Sequence, residues 1–203
     1  DIPRVYVEDG WITVRNGRIR IRVTRADDVA ITRAGRIACN VENALAAVSA
    51  LYALGLPTKV IAEGLRSFCG NAGRFNLFSL KGFSVMLDYG HNLPGYEQVV
   101  AACAQMGFER LTGVIGMPGD RSDDAIKAVG RFCASAFSRI YIKEDRDLRG
   151  RKPNEVARLF HDEITARGFD NGKVKIVPDE LDALKEAVAG AREGELIVVF
   201  YEN

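Results

Sequence analysis

The stretch from Asp88 to Gly95 reads Asp-Tyr-Gly-His-Asn-Leu-Pro-Gly and has the residue types of an anion-binding turn. It follows an apolar run that predicts a strand, and it precedes a helical pattern. Open α/β sheets bind ligands where a strand ends in such a turn, and the free N–H groups at a helix N-terminus attract anions. An ordinary capped turn explains the same residues, with Asn92 as the N-cap and Pro94 at the first helical position.

Two more polar clusters follow predicted strands. Residues 116–123 come after the strand pattern at 111–115, and residues 143–152 come after the pattern at 140–142. Because the carboxyl ends of neighbouring parallel strands face the same crevice, we expect these clusters and the Asp88 turn to converge on one edge of a sheet. The turns at the opposite edge are less polar, and this asymmetry predicts a ligand site.

The chemistry that these clusters suggest is the binding of anions. Arg121 and Arg149 can each bind a carboxylate or phosphate through two hydrogen bonds. Asp145 and Asp147 could receive a cationic group or could neutralise neighbouring arginines, and both alternatives stay open. No G-x-G-x-x-G follows a strand and no G-x-x-x-x-G-K-[ST] occurs. A dinucleotide oxidoreductase is therefore not expected, and any principal phosphate loop is expected outside this chain.

The elements that must position these residues are predicted from apolar periodicity. Strand patterns lie at 75–80, 83–87, 111–115, 140–142, 174–177 and 196–200, and helical patterns lie at 94–106, 123–137, 153–167 and 179–191. After a first hairpin, strands and helices alternate, which predicts an α/β fold with a mostly parallel sheet covered by helices. Pro153 is expected in the first turn of its helix.

The earlier part of the chain has a different pattern, with β-structure predicted at 1–38 and helices at 40–55 and 58–68. The alternation at 18–23 places three arginines either on the solvated face of a half-buried strand or against phosphate. Asn40 is the expected N-cap of the first helix. Asn43, in its first turn, is either a capping side chain or an amide that contacts a base. The glycine-rich segment 70–73 is the expected domain boundary.

The composition is that of a soluble globular protein, with 47% apolar residues, 27% charged residues and a net charge of +1. This charge gives no reason to expect nucleic acid or an acidic membrane surface as a partner. No apolar run approaches the ~20 residues of a membrane helix, and no secretory signal is visible. A cytoplasmic location is expected, with the four cysteines as buried free thiols. With only two histidines, a histidine-based zinc site is not expected.

Four motifs together resemble those of the Mur ligase superfamily, ATP-dependent enzymes that join an amino acid to a carboxylate. They are N-x-x-N-x-x-A-A at 40–47, G-R at 73–74, D-Y-A-H-N-P at 88–92 with Gly90 in place of Ala and the Pro one residue later, and G-x-R at 119–121. The resemblance covers nearly the whole chain. It implies that residues 1–72 are the C-terminal part of the central ATP-binding ligase domain. Residues 73–203 would be the Rossmann-like C-terminal domain.

The resemblance also implies roles for individual residues. The candidate catalytic residues are Arg74, Asp88 and His91, the candidate nucleotide-binding residues are Asn43, Arg74, Asp88, Asn92 and Arg121, and the candidate residues for the incoming amino acid are Asp145, Asp147 and Arg149. The implied cofactors are ATP and Mg²⁺, whose principal phosphate and metal ligands are expected outside this chain. A hinge is expected near residues 70–73, so that closure would assemble the site.

Within the superfamily, residues 41–47, 73–78 and 143–151 are most similar to the cyanophycin synthetase family. That similarity implies amide-bond formation through an acyl phosphate, with Arg added to an Asp side-chain carboxyl. Another Mur-type ligase, of the polyglutamate or peptidoglycan type, and a non-catalytic binding or assembly module stay open as alternatives. The chain starts without Met and ends directly after an apolar strand, so it is expected to be a fragment of a longer polypeptide. Because it lacks the phosphate loop, the fragment is expected to be inactive by itself. Its expected partners are the rest of its polypeptide, ATP and the amino acid or polymer substrate, with homo-oligomer formation left open.

Overall fold

The computed structural model describes residues 2–201 and divides the chain into two compact units, 1–71 and 72–203. Each unit has its own hydrophobic core. The division falls within the glycine-rich segment 70–73. The assignment of the two units to two ligase domains stays a prediction.

The first unit is a three-stranded antiparallel meander packed against two helices. Its strands, paired in chain order, are β1 (Arg4–Glu8), β2 (Trp11–Asn16) and β3 (Ile19–Arg25), and its helices are α1 (Ala38–Ala53) and α2 (Thr58–Ser67). Asp9 and Gly10 have φ angles of 51° and 78° and form the tight turn between β1 and β2. An Asp-Gly pair favours this turn because both positions need positive φ. Ile12, Val14 and Val48 are fully buried in the core of this unit.

The β-structure of the first unit is less extensive than predicted. Residues 26–28 and 30–32 form short 3₁₀ helices instead. The Thr32 hydroxyl donates a hydrogen bond of 2.7 Å to the Ala26 carbonyl, and such a local side-chain bond competes with a strand ladder. Ile19, expected on the buried face of its strand, is 65% exposed because it lies beside the turn that precedes β3.

Helix α1 begins two residues earlier than predicted, at Ala38. Asn40 is therefore not its N-cap. The Asn40 amide instead donates a hydrogen bond of 2.7 Å to the Ile31 carbonyl and ties the helix to the preceding segment. The end of the helix is as predicted, since Gly55 follows it with a φ of 83°.

The second unit is a six-stranded sheet flanked by four helices. Its elements are β4 (Asn76–Ser79), β5 (Phe83–Asp88), α3 (Leu93–Gln105), β6 (Leu111–Ile115), α4 (Asp123–Ala136), β7 (Arg139–Ile142), α5 (Glu155–Ala166), β8 (Val174–Ile176), α6 (Glu180–Ala189) and β9 (Glu195–Phe200). The sheet order is β4-β5-β9-β6-β7-β8, with β4 antiparallel to β5 and every other pair parallel. The predicted α/β fold with a mostly parallel sheet is confirmed.

The strand that is last in the chain lies inside the sheet. β9 pairs with β5 on one side and β6 on the other, and all six of its residues are buried. The ends of β6 and β7 are neighbours, as expected, but the end of β5 is separated from them by β9. Periodicity predicts strands and not their order, because pairing depends on contacts between distant residues.

Helix α5 begins differently from the prediction. Asn154 is its N-cap with a φ of 63°, so Pro153 lies before the helix rather than in its first turn. The free N–H groups at the start of α5 are hydrogen-bonded by Glu144, which lies ten residues earlier, just beyond β7. Its carboxylate accepts hydrogen bonds from the N–H groups of Asn154 at 2.6 Å and Ala157 at 3.4 Å. This contact joins the loop after β7 to the helix that follows it.

Helices α3, α4 and α5 cover one face of the sheet and α6 covers the other. Cys103 and Cys133 are buried in the larger core, and burial raises the pKa of the Cys103 thiol to about 12. Cys69 is exposed and Cys39 half-buried, so the expectation of four buried thiols is wrong for these two. None of the helices within residues 2–201 is long and apolar enough to span a bilayer.

Candidate functional site

Asp88 is the last residue of β5 and is only 3% exposed. Its Oδ2 accepts a hydrogen bond of 3.0 Å from the Phe75 N–H, and its backbone carbonyl accepts one of 3.1 Å from the Tyr201 N–H. Burial raises the pKa of the Asp88 carboxyl. The N–H of Phe75, the charge of Arg74 and the N–H of Gly90 oppose that rise. Asp88 thus holds the neighbouring backbone in place.

Arg74 is an exposed cation on a rigid turn. Gly73 beside it has a φ of 73° and packs so tightly against the Tyr201 ring that no side chain fits at this position. The Gly73 carbonyl also accepts a hydrogen bond of 2.9 Å from the Tyr89 N–H. The Arg74 guanidinium lies 5.4 Å from the centre of the Tyr89 ring, a cation–π distance. Arg74 has no ion-pair partner within the described residues, so its charge is available to an anion.

His91 and Asn92 form the entry to α3. The Asn92 side-chain oxygen accepts a hydrogen bond of 2.9 Å from the Gly95 N–H, which confirms Asn92 as the N-cap, while Pro94 is the second residue of the helix rather than the first. The His91 Nδ1 lies 3.1 Å from the Tyr89 carbonyl oxygen, and the two rings are 5.4 Å apart. His91 is held by Tyr89, and its catalytic role stays a prediction.

A buried tyrosine that no sequence pattern identified ties α3 to the end of β6. The Tyr96 hydroxyl donates a hydrogen bond of 2.8 Å to the Gly116 carbonyl and accepts one of 3.2 Å from the Gly116 N–H. Its ring stacks on Phe200, the last residue of β9, with the ring centres 3.5 Å apart. Burial raises the pKa of Tyr96 well above its ordinary value, so the hydroxyl stays a proton donor. Tyr96 therefore fixes the carboxyl edge of the sheet.

Arg151 joins the loop after β6 to the loop after β7. Its guanidinium donates to the carbonyls of Gly119 at 3.0 Å and Arg121 at 2.9 Å. It also pairs with Glu155 at 2.8 Å and Asp123 at 2.7 Å, and these two carboxylates raise the pKa of Arg151. Because its donors are used in this way, Arg151 positions the two loops. Sequence reasoning counted it only as one charge of a cluster.

Lys143, the first residue after β7, is a buried cation with 1% exposure. Its Nζ lies 2.7 Å from Asp145 Oδ1 and 3.0 Å from Glu180 Oε2. Asp145 is therefore paired with this lysine, and its charge also acts on Arg149, whose pKa it helps to raise. The sequence does contain a signal for Lys143, which directly follows an apolar strand pattern and stands two residues before Asp145. A lysine at the end of a buried strand needs a paired carboxylate, because buried lysines are rare unless paired.

Arg149 and Asp147 are exposed residues of the same loop. Arg149 pairs with Asp120 at 2.8 Å, which raises the pKa of Arg149 and lowers that of Asp120. The Asp147 carboxylate accepts a hydrogen bond of 2.9 Å from the Arg149 N–H. The Nε of Arg121 is buried, lies 3.8 Å from Asp120 and has no hydrogen-bond partner within residues 2–201. A buried donor without a partner is a position that a ligand oxygen can satisfy.

The structure places the predicted site residues in three groups. Arg74, Asp88, His91 and Asn92 share one turn region, and Arg121, Asp145, Asp147 and Arg149 lie on the two loops that Arg151 joins. Asn43 belongs to the first unit, where it is exposed on α1 with its Nδ2 3.4 Å from Asn40 Oδ1. No group of three or more His, Cys, Asp or Glu residues in the described part of the chain could hold a metal ion.

The mostly parallel sheet and the helices on its two faces define a Rossmann-like α/β domain, with polar residues at the carboxyl edge of the sheet. The chain belongs to the Mur ligase family, because residues 73–200 match the domain described as "Mur ligase, glutamate ligase domain". The sequence-based resemblance to this superfamily is confirmed.

The similar proteins include cyanophycin synthetases. That of Crocosphaera subtropica is 36% identical over 200 residues, which is 97% of this chain and 23% of the relative. The chain thus spans about a quarter of the length of these relatives. A UDP-N-acetylmuramoyl-L-alanyl-D-glutamate–2,6-diaminopimelate ligase of Alkaliphilus metalliredigens is 28% identical over 158 residues, covering 77% of this chain and 31% of that enzyme.

Solved structures of related fold include FolC of E. coli in complex with DHPP and ADP. It superposes with a TM-score of 0.70 at 20% sequence identity, covering 98% of this chain and 42% of that one. A murein peptide ligase of Psychrobacter arcticus gives a TM-score of 0.63 at 18% identity, covering 98% and 40%. At this level of identity the similarity establishes the fold.

Proposed function

We propose that this chain is part of an ATP-dependent carboxylate–amine ligase of the cyanophycin synthetase type, which adds Arg to an Asp side-chain carboxyl. The observation that carries the proposal is the Arg74 turn. There an exposed guanidinium, without an ion-pair partner among residues 2–201, lies over Tyr89 on a backbone that Asp88 and Gly73 make rigid. The relatives support this type of ligase, since the cyanophycin synthetases match more of the chain at higher identity than the peptidoglycan ligases.

Two cations of the second unit fit the phosphoryl groups of ATP. In such a ligase ATP would supply a phosphoryl group to the acceptor carboxylate, with release of ADP. The neutral amine of the incoming amino acid would then displace phosphate from the acyl carbon and lose a proton as the amide forms. Arg74 presents an exposed guanidinium, and Arg121 has a buried Nε–H without a partner in residues 2–201. Both can stabilise charge on phosphoryl oxygens, which is the main requirement of phosphoryl transfer.

The Asp88 carboxylate acts through the backbone. It accepts a hydrogen bond from the Phe75 N–H and so fixes the peptide group between Arg74 and Phe75. A displacement of about 1 Å in a group that binds a transferring phosphoryl costs much of its effect. Asn92 caps α3, so we propose that the N-terminus of this helix, rather than a free Asn92 side chain, faces the nucleotide.

The incoming amino acid is assigned to the loop after β7. Asp147 is exposed and can receive a guanidinium, whereas Asp145 is already bound by the buried Lys143. Arg149 can bind the carboxylate of the amino acid if it leaves Asp120. The role of Asn43, in the first unit, is proposed from its motif alone. No metal ligand is proposed among the described residues, so the Mg²⁺ ligands are assigned to the rest of the polypeptide.

The proposal is tested in the full-length protein with Arg74→Gln. We expect loss of ATP-dependent ligation of Arg to an aspartate polymer, while assembly and unfolding temperature stay unchanged. The matched control is Arg158→Gln, which removes the same charge from an exposed position on α5. Unchanged ligation in Arg74→Gln would favour a non-catalytic assembly module.

The chain of 203 residues is proposed to be inactive by itself, because it has no glycine-rich loop ending in Gly-Lys-Ser/Thr. An ATP-turnover assay on the purified chain, with an aspartate polymer and Arg, checks this. Substantial ligation by the isolated chain would contradict it. Transfer of an amino acid other than Arg by the full-length protein would point instead to another Mur-type ligase.

A further inference from the structure

The amino edge of the sheet, opposite the candidate site, contains a basic pocket of about 140 Å³. It is lined by Arg110, Ser138, Arg139, Lys173, Arg192 and Glu195. These residues stand at or just before the starts of β6, β7, β8 and β9. Four of the six are cations from four separate segments of the chain, and one is an anion. The sequence patterns did not bring them together, because they are distant from one another along the chain.

The single carboxylate of the pocket is already saturated. Glu195 is 2% exposed and accepts hydrogen bonds from the Thr112 hydroxyl at 2.5 Å and the Arg192 backbone N–H at 2.8 Å. It also pairs with Arg139 at 3.3 Å. Glu195 therefore neutralises one guanidinium and has little capacity for another.

The position of Arg139 has a structural explanation, and it also shapes the pocket. Its guanidinium donates to the Gly190 carbonyl at 2.7 Å, just after α6, and to the Thr112 hydroxyl at 3.3 Å. A cation at a helix C-terminus is favourable, so Arg139 needs no ligand. Held in this way, and with its charge offset by Glu195, Arg139 forms one fixed side of the pocket.

No structural contact of this kind explains the positions of Arg110 and Arg192. Both are exposed, and neither side chain has a hydrogen-bond or ion-pair partner within residues 2–201. Among the described residues, Lys173 pairs with Asp170 alone, at the surface and at 3.3 Å, and pairs of this kind contribute little. Like charges that converge on one pocket repel each other, so an anion that enters it relieves this repulsion.

We propose that this pocket is a second anion-binding site, distinct from the Asp88 turn, which takes a phosphate group. Guanidinium groups bind such an oxyanion through paired hydrogen bonds, and Arg110 and Arg192 supply them. The Ser138 hydroxyl also lines the pocket, but it donates to the Leu111 carbonyl at 2.9 Å. The volume admits one compact oxyanion. The source is either free phosphate or the phosphoryl end of a nucleotide. The inference is independent of the proposed ligase activity.

The test is a titration of the 203-residue chain with inorganic phosphate, followed by ¹H–¹⁵N NMR at low ionic strength. We expect saturable shifts of the amides of residues 110, 138, 173 and 192. Chloride at equal ionic strength should not reproduce them. Diffuse shifts that do not saturate, or the same shifts with chloride, would overturn the proposal.

The variants make the test specific. Arg110→Gln combined with Arg192→Gln should weaken phosphate binding at least about tenfold, because each change removes a charge-assisted contact. Both residues are exposed, so the unfolding temperature should stay close to that of the parent chain. Arg158→Gln, the matched charge control on α5, should bind phosphate normally. Undiminished binding by the double variant would overturn the proposal.

A parallel titration with ADP identifies the source of the phosphate group. If ADP shifts the same four amides and the double variant abolishes the effect, a nucleotide phosphoryl group occupies the pocket. If ADP leaves these amides unchanged while inorganic phosphate shifts them, free phosphate is the ligand. Either result supports the site if inorganic phosphate gives the saturable shifts described above, and absence of those shifts overturns it.

Discussion

The ends of β5 and β7 are both polar, but they present their charges in opposite ways. At the end of β5, the turn region contains one buried carboxylate, Asp88, and one exposed guanidinium, Arg74, that has no ion-pair partner in the described part of the chain. At the end of β7, Lys143 is paired with Asp145, and Arg149 is paired with Asp120.

The difference shows that a high density of charge does not by itself make a binding site. A ligand at the β7 loop must compete with protein groups that already satisfy each other, whereas an anion at the β5 turn meets an unpaired cation. The paired charges at the end of β7, Lys143–Asp145 and Arg149–Asp120, are called the β7 network here, and their role is mainly structural. Asp147 and Arg149 are exposed residues of this loop. The turn after β5 mainly holds the Arg74 guanidinium exposed to solvent. Four measurements test this contrast, and they are given in order of decreasing effect.

Lys143→Met should have the largest effect on stability. It leaves the 8%-exposed Asp145 and the Glu180 carboxylate without their shared cation. Removing one partner of a buried ion pair costs about 3–5 kcal/mol of unfolding free energy. Urea denaturation of the 203-residue chain measures it. The control is Lys175→Met, whose pair with Glu186 is exposed, and it should cost below about 1 kcal/mol. Equal losses in the two variants would show that the β7 network is not structural.

Arg74→Gln in the full-length protein should have the next largest effect, on activity rather than stability. A hydrogen bond to a charged group contributes about 1.5–3 kcal/mol, so kcat/KM for ATP-dependent ligation should fall by about 10-fold to 100-fold. The unfolding free energy should change little, because Arg74 is exposed. A variant that lost stability and kept its activity would reverse the contrast between the two strand ends.

Arg151→Lys should destabilise the chain by about 1–2 kcal/mol, because lysine cannot reproduce the hydrogen bonds to the Gly119 and Arg121 carbonyls. Hydrogen exchange should speed up in the loops after β6 and β7 and stay unchanged in the Asp88 turn. The conservative comparison is Arg158→Lys on α5, which keeps the charge at an exposed position and should leave exchange unaltered. Equal protection in parent and variant would exclude the positioning role.

Asp88→Asn should give the smallest effect, visible as a pH dependence. Burial raises the pKa of Asp88 in the folded chain, so the folded state binds more protons than the unfolded state between the two pKa values. The unfolding free energy of the parent should therefore fall, relative to Asp88→Asn, as the pH rises from about 4 through the raised pKa, and then level off. Stability curves measured across this range check the sign. A relative rise with pH would mean that the Phe75, Arg74 and Gly90 contacts outweigh burial.

Much of the fold could be predicted because its signals are local. The alternation of apolar runs identified every strand and helix of the second unit, and Asn92 was recognised as a cap from its position before a helical pattern. The errors had tertiary causes. Asn40 is recruited by the Ile31 carbonyl, and Glu144 satisfies the start of α5.

The candidate site divides in the same way. Residue types and their places after predicted strands mark the Asp88 turn and the β7 cluster, and the resemblance of the motifs to the family adds Arg74. Only the tertiary structure showed that Lys143 neutralises Asp145, that Arg151 joins two loops, and that four cations meet at the amino edge of the sheet. Residue types and periodicity determine which groups a strand end carries, because they act within a few residues. Whether a charge is paired or available depends on desolvation and on partners brought from distant segments, which only the packed chain decides.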